Sequence, residues 1–330
     1  MTRARIAGII VLAYSSRQLF LLKVVALMYV KFWGVRGSYP IARPDNTHFG
    51  GNTPCIEIKT KSGGHIIIDG GTGIRPLGKE LVKAGPFRDG KGSLSILMSH
   101  THWDHIVGFP FFKPFDLVGN TFTIYAARLD FITLKSIFEG FQNSVYFPVP
   151  FETLSASIQF KEIRPDMTFK VEGATVTTMQ LNHPNVTLGY RIDDGEHVFT
   201  ILSDNARIEA VQQGQGRENI PPDKLDAFKQ AFRAQMIDMA WEADVLVYDT
   251  MFTKESIKGR EHWGHSSPED GVSVGEAAKC KRLILFHHDT EENDEAVRRK
   301  EIDANLLSTD NLTVYAAYEG MEFRLGKGSG

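Results

Sequence analysis

The chain has 330 residues, 42% of them hydrophobic and 11% aromatic, which is apolar surface enough for a sizeable core in one large domain or two small ones. Its net charge of −3 and pI near 6.4 come from well-mixed acids and bases, with Arg298-Arg299-Lys300 the one compact basic run, so broad electrostatic binding to a nucleic-acid backbone is not expected. The two cysteines, Cys55 and Cys280, make neither a disulfide framework nor a metal spacing and read as buried, reduced thiols, which suits a cytoplasmic location.

Along the chain, residues 6–14 ("IAGIIVLAY") follow Arg3 and Arg5 as in a signal peptide, and a second apolar run covers 19–30. Arg17 and Lys23 interrupt the pair, neither run supplies the roughly 20 apolar residues of a membrane span, and no small-residue cleavage site stands out. "MYVKFWGVRGS" reads as a natural start at Met28, so residues 1–27 are expected to be a loose extension or a start-site artefact, with one domain over 28–326 and a disordered tail at 327–330. Neither export nor membrane association is expected.

Short β-rich runs follow at 29–33, 55–59, 65–69, 93–99 and 122–126, several bounded by glycine-rich turns such as "FGGN" and "DGGTG". A helix fits 74–83, and residues 108–160, rich in phenylalanine and proline, read as a long irregular segment. Strands resume at 174–181, 198–203 and 245–249. Between the last two, the apolar stripe of Leu225, Phe228, Phe232, Met236 and Met239 predicts a core-facing helix over 221–240. Ser267-Pro268 with Asp270 opens a further helix, "KRLILFH" is a strand, 294–307 a helix and 312–318 a final strand. No repeat or linker divides 28–326, and strands mixed with helices in both halves predict a layered α/β domain with stacked sheets.

The chemistry concentrates in "SHTHWDH", which places three of only eleven histidines beside an aspartate. Histidines at i, i+2 and i+5 with an aspartate at i+4 fit no single helix or strand face, so His100, His102, Asp104 and His105 are expected on a loop held rigid by the strand before it. Clustered imidazoles and carboxylates are the donor set of catalytic metal ions. Four ligand groups invite two ions, and candidate further ligands close distant strands: His183 after "TVTTMQLN", Asp204 after "VFTILS" and His287 after "RLILF". Each alone reads as an ordinary strand-end polar residue; their order together does not.

"SHTHWDH" followed by His183, Asp204 and His287 resembles the HxHxDH pattern and downstream His, Asp and His of the metallo-β-lactamase-fold hydrolases. "FWGVRGSYP", "GGNTPCIEI", "IIIDGGTGIRPLG", "SHTHWDHIVGFPFF", "YDTMF", "WGHSSPEDGV" and "LILFHHD" are similar to the subgroup that holds phosphodiesterases of the phosphonate-utilisation and tRNase Z type. The resemblance spans about 28–326 and implies a four-layered αββα sandwich. It implies two divalent ions, zinc first and manganese or iron as alternatives: one held by His100, His102 and His183, the other by Asp104, His105 and His287, with Asp204 bridging. His287 is preferred to His288 because it directly follows the strand. Lactamases proper usually carry cysteine where Asp204 stands, which argues against lactamase activity.

By the same resemblance Asp69 orients a ligand, a role that matches the need to fix histidine tautomers, and His265 with Asp249 lies beside the metals. The residues implied for catalysis are then His265, Asp249 and Asp104. A His/Asp pair suits protonation of a leaving alkoxide, and two ions sharing a hydroxide suit in-line attack on phosphorus. The expected activity is hydrolysis of a small or cyclic phosphodiester, a cyclic nucleotide among the candidates. The alternatives are tRNase Z-like RNA processing, thioester or lactone hydrolysis, and a non-catalytic metal-binding sensor. A small-molecule partner is expected, with no strong nucleic-acid signal, no membrane, and a homodimer left open. Of the aromatic residues around the motif (Trp103, Phe109, Phe111, Phe112, Phe115), most are expected in the core, with a nucleobase-stacking wall as the alternative. Arg36, Asn52 and Arg75 adjoin tight turns and are candidates for a phosphate contact.

Overall fold

In the run "VLVYD", Val245 and Val247 belong to one apolar cluster while Leu246 and Tyr248 belong to another. Period-two alternation with both faces apolar is the mark of a strand buried between two layers, and the same split recurs in "RLILF", where Ile284 and Phe286 face one way and Leu283 and Leu285 the other. The computed structural model describes residues 27–213 and 220–326. All of the expected N-terminal extension but Leu27, and the tail at 327–330, lie outside the described residues.

Among the described residues two seven-stranded sheets stack face to face. The first comprises β1 (Met28–Gly34), β2 (Cys55–Lys59), β3 (His65–Ile68), β4 (Ser93–Leu97), β5 (Thr121–Ala127), β6 (Ser157–Ile163) and β14 (Glu322–Leu325), in the order β14-β1-β2-β3-β4-β5-β6. The second comprises β7 (Thr168–Val171), β8 (Ala174–Gln180), β9 (Leu188–Asp193), β10 (Val198–Leu202), β11 (Val245–Asp249), β12 (Arg282–Phe286) and β13 (Thr313–Ala316), in the order β13-β12-β11-β10-β9-β8-β7. Each sheet is part parallel and part antiparallel: β3 to β6 run parallel to one another, as do β10 to β13, and the remaining pairings are antiparallel.

Helices cover both outer faces. Ile74 and Leu77 of α1 (Ile74–Leu81) and Leu134 and Phe138 of α3 (Leu134–Phe141) pack on the first sheet. On the second sheet lie α4 (Pro222–Ala240) through Phe232, Met236 and Met239, α5 (Pro268–Ala277) through Val272 and Val274, and α6 (Asp294–Leu307) through Val297 and Ala304. The short α2 (Trp103–Ile106) carries the histidine motif at the end of β4. The architecture is therefore the expected αββα sandwich. No helix among the described residues is long and apolar enough to cross a membrane, and both cysteines are free and buried.

The structure differs from the sequence reading mainly between 108 and 160. That segment is not irregular throughout: besides the expected strand β5 it holds α3 and most of β6, with 3-10 turns at 109–111, 113–116 and 151–153. Eight residues of helix and a strand whose outer half is exposed give too short a periodic signal to stand out. β7, β9 and β14 were not singled out either; two of them are only four residues long.

A buried carboxylate ties the inner strands of the first sheet. Glu57 accepts from Trp33 Nε1 at 2.9 Å and lies 3.0 Å from His65 Nε2 and 3.1 Å from Lys59 Nζ. Burial works to raise its pKa, but His65, Lys59 and Trp33 outweigh that and bring it from 4.5 down to about 2. A depressed folded-state pKa contributes stability that is present above the unfolded value and lost as pH falls through the folded one, at most about 3 kcal/mol here. Glu57→Gln is expected to lose about 1–3 kcal/mol near neutral pH, a deficit that shrinks between about pH 4.5 and 2. Denaturant melts of both proteins across that range measure it.

Candidate metal centre

The site collects at the carboxyl ends of strands from both sheets, where parallel strands characteristically leave a crevice for ligands. Asp69 follows β3, His100 to His105 follow β4, Asp204 follows β10, Asp249 ends β11 and His287 follows β12. Asp69, Asp204 and His287 have φ of 59°, 60° and 61°. Left-handed backbone at a non-glycine residue carries a cost and persists where the surroundings impose it; here it turns each side chain off its strand end into the crevice. One backbone and one side-chain hydrogen bond join the sheets at this level: Leu188 N donates to Ser99 O at 2.9 Å and Tyr190 Oη to Met98 O at 2.5 Å.

The structure brings all seven expected ligands together in two groups whose donor atoms lie within 4.8 Å of one another: His100, His102 and His183, then Asp104, His105, Asp204 and His287. Asp204 links them, with Oδ1 4.0 Å from His100 Nε2 and 3.3 Å from His287 Nε2, and Oδ2 3.4 Å from His105 Nε2. Six of the seven are buried, and His102 forms the solvent edge. His287, not its neighbour, enters the crevice; His288 Nε2 donates to Ala317 O at 2.9 Å.

Supporting groups set the tautomers. Asp69 accepts from the Ser99 amide (2.7 Å), the Ser99 hydroxyl (2.9 Å) and His105 Nδ1 (2.8 Å), which directs His105 Nε2 into the cluster. His183 Nδ1 donates to Gly264 O at 3.0 Å, freeing its Nε2 in the same way. The Ser38 amide donates to Asp104 Oδ2 at 2.8 Å. Sequence reasoning assigned no role to Ser99, Ser38 or Gly264. Ser99 was visible as the first letter of the motif, whereas Ser38 and Gly264 act through backbone atoms that any residue has. The turn after Asp69 passes directly beneath the motif: Gly70 N donates to His105 O at 2.7 Å, and a Cβ on Gly71 would collide with the Asp104 carbonyl.

Burial keeps His100 and His102 below the usual imidazole range and brings His183 down to about 4, so these three offer neutral lone pairs. Burial also opposes charge on His105 and His287, but the carboxylates prevail: Asp104, Asp204 and Asp69 hold His105 well above its ordinary value, and Asp204 and Asp104 raise His287 to about 9. In return His105 and His287 keep Asp104 and Asp204 ionised, well below the usual carboxylate range despite their burial. His100 Nε2 and His105 Nε2 are buried without a hydrogen-bond partner. Unpaired buried polar atoms converging with two carboxylates fit a pair of divalent cations, which would satisfy the nitrogens and replace the protons.

Asp249 and His265 lie against this cluster. Asp249 Oδ2 accepts from His265 Nδ1 at 2.7 Å and the Asn205 amide at 3.2 Å, and Oδ1 accepts from the amides of Met251 (3.0 Å) and Ser266 (3.3 Å). The His265 ring stacks on His287 with centroids 4.9 Å apart and planes 23° from parallel. Other expectations divide. Phe109, Phe112 and Phe115 are core residues, whereas Trp103 and Phe111 are 77% and 52% exposed. Arg36 does not reach a phosphate: it is wholly buried and bonded to the carbonyls of Gly50, Asp289 and Glu292. Asn52 is bound to Glu319 at 2.8 Å, and Arg75 is exposed.

The model of the Beta-lactamase superfamily domain matches residues 65–288. Ribonuclease Z of Limosilactobacillus fermentum is 24% identical over 222 residues, 58% of this chain and 68% of that protein. Among solved structures, the metallo-beta-lactamase fold protein YhfI from Bacillus subtilis superposes with a TM-score of 0.62 at 18% identity, covering 90% of this chain and 99% of its own. A diphosphatase from the PhnP family gives 0.57 at 16%, covering 91% and 98%.

Two outcomes follow from the geometry. Replacing Asp69 by alanine is expected to weaken metal binding about 10- to 100-fold, read by competition with a chromophoric chelator; unchanged affinity would remove Asp69 from its orienting role. Because an ion must displace protons from His105, which is held well above its ordinary value, and from His287, raised to about 9, affinity is expected to climb with pH through the neutral range and beyond it. Calorimetry in buffers of different ionisation enthalpy detects the released protons.

Proposed function

Since residues 65–288 place this chain in the metallo-β-lactamase superfamily, we propose that it is a dinuclear metal-dependent phosphodiesterase acting on a small or cyclic phosphodiester. The observation that carries the reading is the His265–Asp249 pair, 2.7 Å apart, set against a donor set for two cations. Ester hydrolysis at phosphorus expels an alkoxide, a poor leaving group that gains from a proton donor, whereas thioester cleavage expels a thiolate that needs no such acid.

His100, His102 and His183 would hold one ion, and Asp104, His105 and His287 the other, with Asp204 between them. Bound there, two divalent ions supply positive charge for the phosphoryl oxygens and lower the pKa of an attacking water. Imidazole and carboxylate donors accept zinc, manganese or iron. Asp249, engaged by four donors, is suited to holding His265 in one orientation. With Nδ1–H committed to Asp249, the proton that His265 gives to the departing oxygen comes from Nε2. Asp104 and Asp204, ionised and buried, concentrate negative charge where the cations bind.

The ribonuclease Z relatives favour a second reading, cleavage of RNA phosphodiesters, with the same residues in the same roles. The net charge of −3 speaks for a small substrate instead.

Hydrolysis of bis(p-nitrophenyl) phosphate by metal-analysed protein tests the proposal, followed by cyclic nucleotides and a precursor tRNA. Activity that requires two ions per chain is expected, lost with Asp204→Ala; His265→Ala, with metal content kept, is expected to lower kcat about 10²- to 10⁴-fold on the alkoxide-leaving cyclic nucleotides and far less on bis(p-nitrophenyl) phosphate, whose p-nitrophenolate departs without an acid. A fully loaded protein without turnover on any of these esters would defeat it.

A further inference from the structure

The segment "VRGS" resembles family sequence yet has no part in the reaction, and its one polar candidate, Arg36, is buried away from solvent. Its placement is nonetheless specific. After β1 the chain crosses from the first sheet to the end of β12 in the second: Arg36 and His288 form a parallel bridge, His288 N donates to Val35 O at 3.0 Å, and Gly37 N donates to His288 O at 3.0 Å. This pairing lays Gly37 against the His287 ring. A Cβ at residue 37 would stand well inside van der Waals distance of Cε1 and Nδ1 and 3.0 Å from Nε2.

His287 differs from His100, His105 and His183 in how it is held. His105 has Asp69, His183 has Gly264 O, and His100 has Ser99 Oγ at 3.1 Å on the ring nitrogen away from the cluster. His287 Nδ1 is buried with no hydrogen-bond partner. On the side away from Asp104 and Asp204 the ring is placed by contact alone: the bare Gly37 backbone, the His265 ring at 4.9 Å and the His105 ring at 5.6 Å. One residue on, Ser38 has a φ of 64° and donates its amide to Asp104 Oδ2, the oxygen that lies 3.2 Å from His287 Nε2. Arg36 anchors the segment by donating to Gly50 O, Asp289 O and Glu292 O at 2.8–2.9 Å, which joins this turn to the loop that follows His287 and His288.

We propose that residues 36–38 are a positioning clamp for one half of the metal centre: Gly37 sets the His287 ring, the Ser38 amide sets Asp104, and Arg36 holds the turn that carries both. The His100, His102 and His183 half makes none of these contacts. The clamp therefore governs occupancy of one metal position and not the other, whichever ester the enzyme cleaves.

The test compares full-length wild type, Gly37→Ala, Ser38→Gly, His287→Ala and the Gly37→Ala/His287→Ala double variant, each loaded with zinc, desalted and analysed for metal. Two ions per chain are expected in the wild type and in Ser38→Gly, which keeps the amide and relieves the positive φ. His287→Ala and Gly37→Ala are expected to keep about one, or to bind the second about 10- to 100-fold more weakly. Folded Gly37→Ala protein with two ions at wild-type affinity would overturn the clamp. A second readout separates the ring contact from general damage to the fold. Gly37 lacks a positive φ, so the cost of alanine there is steric. In metal-free protein Gly37→Ala is expected to lower Tm by roughly 3–8 °C when His287 is present and by little in the His287→Ala background. Equal losses in both backgrounds would also overturn it.

Discussion

Two ionised carboxylates, Asp104 and Asp204, sit in a buried crevice among five imidazoles, and the rest of the molecule is organised around making that arrangement tolerable. A buried charge without a partner costs several kcal/mol. Here the partners in the metal-free chain are His105 and His287, whose place divalent cations bound there would take. The cluster lies where two apolar sheets end, so solvent is excluded from every side but that of His102. The same desolvation that penalises the charges strengthens their attraction for a cation.

Much of this was legible in the sequence because the donors occupy punctuation points. Asp69, Asp204, Asp249 and His287 each end or closely follow a run of buried apolar residues, and a polar residue where such a run stops is conspicuous. The four donors of the motif are conspicuous through density alone. Stacked sheets followed from strands mixed with helices in both halves, while the αββα layer order came from the resemblance to the metallo-β-lactamase-fold hydrolases. His287 was preferred to His288 on its place after the strand, and the geometry turns it inward while its neighbour binds a backbone carbonyl.

What escaped was of two kinds. Backbone groups carry no signature, so the Gly264 carbonyl and the Ser38 amide could not be read before the chain was folded. Arginine after a tight turn suggested an anion contact, but Arg36 is enclosed and spends its donors on carbonyls. The phenylalanine-rich stretch after the motif was read correctly in the main: Phe109, Phe112 and Phe115 are core, and only the outward-facing Trp103 and Phe111 are available to a ligand. Its helix α3 and strand β6 went unseen because aromatic density masks period.

The donors are divided between the sheets, with four from the first and three from the second. Such a centre does not exist in either half of the chain alone. It is completed only when the sheets dock, after pairings between residues as distant as Asp104 and His287 have formed, and loop closure over such separations is a slow, late event. Ions bound there would not template the early steps of folding but would latch the finished protein. Binding the docked state and not the open one, they would slow separation of the sheets more than they would speed their meeting.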